Sequence, residues 1–204
     1  MKSLRNTYAI LGYGSLIWDL EVLEPHVRLP WLMGGGPLMP LEFSRVSPKR
    51  NLSLVVVLDP DHGELCPTHA VVSRRKHIHA VAEDLCARER SPVIENIGAV
   101  CAETNFVRSR HDHVATRVLR WCAEVGARGA VWTDLQRNFR EHTQTAFSQR
   151  SARAYLRTLS GASLAEAIRY IDNAPAATDT PLRRMLQRDS WWQSLPRVPG
   201  TRAK

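Results

Sequence analysis

The chain has 204 residues, 44% of them hydrophobic, and a formal net charge of +8, which suits a single globular domain with a proper core. No apolar run approaches the roughly 18 residues of a membrane span, and four scattered cysteines (Cys66, Cys86, Cys101, Cys122) without a C-x-x-C pair argue against a disulfide framework or zinc site. The basic excess would suit nucleic acid or an anionic substrate, but no RNP-like segment, zinc finger or basic helix with interleaved aromatics accompanies it, so a solvated basic surface is favoured.

In chain order, the opening Met1 to Asn6 carries no signal-peptide pattern, and a cytoplasmic setting is expected. Thr7 to Leu11 reads as a short buried strand ended by Gly12 and Gly14. Leu29 to Pro40, with three prolines and Gly34-Gly35-Gly36, is expected to be a loop. Leu52 to Leu58 is a strand closed by the turn residues Asp59 to Gly63, and His69 to Ser73 is expected to pair with it across that turn. Ile78, Val81 and Leu85 then give one apolar helical face ending before Pro92. Val114, Val118, Cys122 and Val125 give a second, stopped by Gly126, and Gly129 to Thr133 returns to strand character. Ala152, Tyr155, Leu156 and Leu159 mark another helix. A last one carries Leu164, Ile168 and Ile171, with Ser163 and Glu166 spaced as a capping box. From about Ala174 a Pro- and Arg-rich tail, including Arg183, Arg184, Arg188, Arg197, Arg202 and Lys204, is expected to wrap the surface, with Trp191-Trp192 in core packing. This order predicts an α+β fold with a small mixed, partly closed barrel-like sheet, surrounding helices and C-terminal helices from about residue 148 of one 1–204 domain.

The richest stretch is Gly12-Tyr13-Gly14-Ser15-Leu16-Ile17-Trp18. Two glycines permit positive φ, so that successive N–H groups would line an anion-binding concavity; a plain tight turn is the competing reading. A dinucleotide fingerprint fails because Ile17 stands where the third glycine belongs. A G-x-S-x-G nucleophile elbow fails at Tyr13 and Ile17, and no Walker lysine follows. His77 and His79, like His111 and His113, are two residues apart and do not share a helix face, so surface or capping roles are favoured over metal. Burial is the simpler reading of Cys101 and Cys122.

Tyr-Gly-Ser-Leu directly after an N-terminal strand, extended as Gly12 to Trp18, resembles the signature of the gamma-glutamylcyclotransferase superfamily, and in its long form that of the ChaC-type branch. Leu85-Cys86-Ala87-Arg88-Glu89 is similar to that family's Leu-x-x-Arg-Glu helix end, and Phe43-Ser44-Arg45 to its aromatic-Ser-Arg segment. The resemblance covers about the first 90 residues. Arg90-Ser91-Pro92 departs from the glutathione-specific pattern after the glutamate, and Ala130-Val131-Trp132-Thr133-Asp134-Leu135 resembles a divergent bacterial-type subgroup.

The resemblance implies an enzyme converting a gamma-glutamyl amide (glutathione, a gamma-glutamyl amino acid or a gamma-glutamylamine) to 5-oxoproline and a free amine, without cofactor or metal. It implies Glu89 as the catalytic acid–base and Tyr13, Gly14, Ser15 and Leu16 as the substrate-binding loop, with Arg45 either orienting a substrate carboxylate or supporting the structure. The partner expected is a small gamma-glutamyl molecule, not a membrane. Two rivals stay open: a non-catalytic small-molecule-binding module on the same fold, and, less favoured, a basic nucleic-acid-associated protein. Oligomeric state is not legible.

Overall fold

The structure, a computed structural model, describes residues 4–197. The chain runs through β1 (Tyr8–Gly12), β2 (Val27–Leu32), β3 (Leu38–Ser47), β4 (Ser53–Leu58), β5 (Glu64–Pro67) and β6 (His69–Ser73) before its first helix, α1 (Ile78–Glu89). Next come β7 (Ile97–Cys101), β8 (Phe106–Arg108), α2 (Asp112–Val125) and β9 (Gly129–Thr133). Five helices follow: α3 (Phe139–Thr143), α4 (Gln149–Thr158), α5 (Gly161–Asn173), α6 (Pro181–Gln187) and α7 (Ser190–Ser194). The protein is α+β, and its residues group into two compact units, one of 1–39 and 67–135, the other of 40–66 and 136–204. No described helix is long and apolar enough to cross a membrane.

The first unit is built on a six-stranded mixed sheet in the order β2-β6-β1-β9-β7-β8. β1 is antiparallel to β6 and parallel to β9. Every residue of β1 and β7, and all of β9 but Thr133, is buried. Both sheet faces are therefore covered, which is why these strands read as continuous apolar runs. One face holds Tyr8, Ile10, Val71, Ala99 and Val131 against Ile78, Val81, Ala82 and Leu85 of α1. The second unit holds the three-stranded sheet β4-β3-β5, with α5 packed on β4 and α4 on α6. Each sheet is open, ending at β2 and β8 or at β4 and β5, and no closed barrel forms among the described residues.

Several expectations are corrected. Leu29 to Pro40 is not a loop: it supplies the end of β2 and the start of β3, leaving only 33–37 as a turn. Pro30 is tolerated because β2 is an edge strand, where a missing N–H costs no ladder bond. His69 to Ser73 does not pair with the strand before it. As β6 it joins β1 and β2, whereas β4 pairs with β3 and the turn after β4 leads into the short β5. Gly63 makes that turn possible, since a Cβ there would stand 2.5 Å from the Asp59 carbonyl oxygen. The Ser163–Glu166 capping box is absent: Ser163 lies inside α5, whose N-cap is Ser160. Such a box forms instead at Ser148 and Ser151, opening α4. The tail from Ala174 does not simply wrap the surface, because α6 and α7 bury Leu182, Leu186 and Trp192. Arg202 and Lys204 lie outside the described residues.

Candidate active site

β1 and β9 lie side by side and parallel, with Leu11 opposite Trp132, so their carboxyl ends open onto the same edge of the first unit. The crevice outside the carboxyl ends of parallel strands is where open α/β sheets bind ligands. Because β6 runs antiparallel to β1, α1 starts at the opposite edge and returns along β9, β7 and β1, delivering its last residues to those carboxyl ends. The helix stops there as Arg90 takes the left-handed conformation (φ 51°) and the Arg90 and Ser91 N–H groups donate to the carbonyls of Ala87 and Cys86.

The loop after β1 is not the concavity expected from its glycines. Neither Gly12 nor Gly14 has positive φ, and Gly14 sits at φ −132°. Gly12 is required by close packing instead: a Cβ there would lie 2.7 Å from Ile17 Cδ1 and 2.9 Å from Trp31 Cη2. The chain then enters a short 3-10 turn over Ser15–Ile17, in which the Ile17 N–H donates to the Gly14 carbonyl. As at any helical start, the N–H groups of Ser15 and Leu16 have no partner within that turn. The Leu16 side chain anchors the turn in the core under α1.

Five side chains knit this loop to the ends of α1 and β9. The buried Tyr13 hydroxyl donates to the Thr133 carbonyl. The Thr133 hydroxyl donates to Glu89 Oε1 at 3.3 Å, and the Arg88 guanidinium donates to the same oxygen at 2.6 Å. Arg88 also donates to the Ser15 hydroxyl at 3.3 Å and to the Asp19 carbonyl at 2.5 Å. Tyr13, Ser15 and Glu89 therefore belong to one hydrogen-bonded circuit, although Ser15 and Arg88 are 73 positions apart in the chain. Glu89 keeps 13% of its side-chain surface exposed while Arg88 keeps 2%.

Arg45 is not part of this circuit. It belongs to the second unit, on β3, where its guanidinium donates to the Gln136 carbonyl and burial pulls its pKa below the ordinary arginine value. Arg88 and Thr133 are the residues that sequence reasoning missed. The signal for Arg88 was present: the stripe Ile78, Val81, Leu85 continues to position 88, so this arginine falls on the buried face of α1.

Elsewhere, ligand atoms of Asp59, Asp61 and His62 lie within 4.8 Å of one another in the second unit. Arg137 bonds both carboxylates at 2.7 Å and puts positive charge where a cation would sit, so these residues fit an ion-pair cluster better than a metal centre. Burial pushes the thiols of Cys66 and Cys122 up to about 11 and about 12, which suits inert core cysteines. Comparison with protein-family profiles, with curated proteins and with solved structures found no match.

Proposed function

We propose that the chain is a gamma-glutamyl cyclotransferase-like enzyme that releases 5-oxoproline and an amine from a gamma-glutamyl amide, and that its fold is a divergent member of that class. The reading starts from the sequence resemblance. The observation that carries it further is the circuit joining the Tyr13–Ser15 loop to Glu89 through Arg88 and Thr133. Two segments that the resemblance implies as functional, far apart in sequence, meet at the carboxyl ends of parallel strands.

The chemistry asks little covalently of the protein. The substrate's own α-amine attacks its γ-carbonyl carbon, so the enzyme must hold a folded-back conformation, accept a proton and stabilise the oxyanion. In this proposal Glu89 accepts the proton that the α-ammonium gives up as the new C–N bond forms. The N–H groups of Ser15 and Leu16 face the developing oxyanion. Collapse of the tetrahedral centre breaks the amide C–N bond, and Glu89 returns the proton to the departing amine. Arg88 and Thr133 fix the carboxylate orientation from the protein side.

One observation favours a non-catalytic binding module as the second reading: Glu89 Oε1 already accepts from both Arg88 and Thr133, which would also suit a purely structural carboxylate. The deciding experiment is 5-oxoproline release from a panel of gamma-glutamyl amino acids, gamma-glutamylamines and glutathione, wild type against Glu89→Gln. Turnover by wild type that collapses by about a hundredfold or more in the variant is expected. Full activity of Glu89→Gln removes Glu89 as the base, and binding without turnover by wild type establishes the second reading.

A further inference from the structure

Beside the loop stand two N–H donors that the circuit does not use. His69 pairs directly with Gly12 across the β1–β6 ladder, so its side chain leaves the sheet on the same face as Gly12, Ile10 and Val71, the face α1 covers. It is 2% exposed. Its Nδ1 accepts the Gly34 N–H at 2.7 Å, which fixes the neutral tautomer with the proton on Nε2. Burial also pulls its pKa down, in keeping with a neutral ring. Nε2–H has no hydrogen-bond partner. Gly34 follows β2, on the far side of β6 from β1, so Nδ1 is engaged on the β2 side and the second ring nitrogen is left over beside Gly12, the residue His69 faces in the ladder. Trp31 adds the second donor. Its indole reaches from β2 across β6 to rest on Gly12, and its buried Nε1–H is likewise unpartnered.

Both groups donate and neither accepts, and a shielded N–H without a partner is left unfavourably desolvated. Two neutral donors in a low-dielectric surround suit an oxygen that carries charge. We propose that His69 and Trp31 are binding residues of the Gly12–Leu16 site and present Nε2–H and Nε1–H to a carboxylate of the bound molecule. The proposal deepens the cyclotransferase reading and rests on it for the identity of the ligand, whose glutamyl part carries an α-carboxylate.

The test uses the full-length protein labelled with 15N and follows the Trp31 indole and His69 imidazole resonances. Titration is with 5-oxoproline, with L-glutamate, and with 2-pyrrolidinone, which has the ring of 5-oxoproline but no carboxylate. Saturable shifts of both resonances with a carboxylate compound, and none with 2-pyrrolidinone, are expected. His69→Phe and Trp31→Phe should each weaken carboxylate binding by about tenfold or more. Trp31→Phe keeps an aromatic wall on Gly12 and carries the test if the buried His69 variant does not fold. The proposal is overturned if neither resonance moves with either carboxylate, or if 2-pyrrolidinone moves them equally. Carboxylate-driven shifts without 5-oxoproline release from any gamma-glutamyl compound would uphold the donor pair and sink the cyclotransferase reading. Turnover with an unaltered KM in both variants would do the reverse.

Discussion

A guanidinium held almost out of water must place its N–H groups on protein acceptors, and Arg88 places them on the Asp19 carbonyl, the Ser15 hydroxyl and the Glu89 carboxylate. A planar fork can meet three acceptors at once, whereas a lysine ammonium is a point charge on a flexible stem. Arg88→Lys is therefore expected to lose about 1–3 kcal/mol of stability, because some buried acceptors are left unmet. In a chain of this size that lowers Tm by about 2–12 °C by calorimetry. If Arg88 also positions Glu89 for turnover, kcat in the 5-oxoproline assay should fall while KM stays near wild type; a merely structural arginine would leave kcat unmoved below the variant's Tm. The same contacts mean that Glu89→Gln weakens an ion pair with a buried partner, so it should cost stability as well as activity. Of the site, Glu89 and the Tyr13–Leu16 loop were legible because their residue patterns recur in a known family. Arg88 was less legible, since arginine is a residue type of the surface and only the helical stripe places this one inside.

Two helices of the first unit end in the same backbone conformation with different residues. α2 closes at Gly126 (φ 72°), where the Ala127 N–H donates to the Cys122 carbonyl at 2.9 Å. α1 closes at Arg90 (φ 51°), whose solvent-exposed pairing with Glu21 contributes little. Left-handed backbone is free to glycine and strained for any residue with a Cβ. Gly126→Ala is thus expected to destabilise by about 1 kcal/mol and Arg90→Gly to stabilise by a few tenths to about 1 kcal/mol, read as opposite shifts of the urea midpoint. An unchanged midpoint in both would deny the cap strain. This end of α2 was plain in the sequence because stripe and glycine agree. β7 was invisible for the converse reason: Ile97-Gly98-Ala99-Val100-Cys101 has small residues where a strand signal expects bulk. Gly98 is there because the Trp132 indole lies on it, 2.1 Å from where a Cβ would stand, and that constraint comes from β9, well beyond β7 in the chain. The pairing of β6 with β1 and β2 was not legible either, since local turn chemistry describes the chain reversal and not the non-local ladder that finally forms.

At the scale of the whole molecule, acid and base act on stability through buried carboxylates, and the second unit holds two with opposite signs. Both Glu42 and Asp59 have no solvent exposure. Burial pushes the Glu42 carboxyl above its ordinary value of 4.5, and hydrogen bonds from Thr180, the Phe43 and Leu182 N–H groups and Gln149 only partly oppose it. For Asp59 burial again pushes upward, but the Ser44 hydroxyl, the Arg137 guanidinium and the His62 N–H and ring outweigh it and hold the carboxyl below its ordinary 3.8. A group whose folded pKa is raised binds its proton more tightly in the native state. The contribution of Glu42 is therefore greatest in acid and declines as pH rises from about 4.5 through the raised value. A group whose folded pKa is depressed does the opposite: Asp59 stabilises fully above 3.8 and loses that contribution as pH falls through the lowered value. Urea unfolding of wild type followed from pH 3 to pH 8 should show both limbs. Glu42→Gln should flatten the decline on the alkaline side of 4.5, whatever its effect on absolute stability, because no group remains there to titrate. Asp59→Asn should flatten the acid limb and lower stability at neutral pH, since Arg137 then faces an amide in place of a buried carboxylate. Identical pH slopes in wild type and both variants would mean that the pH response of the protein is carried by other groups.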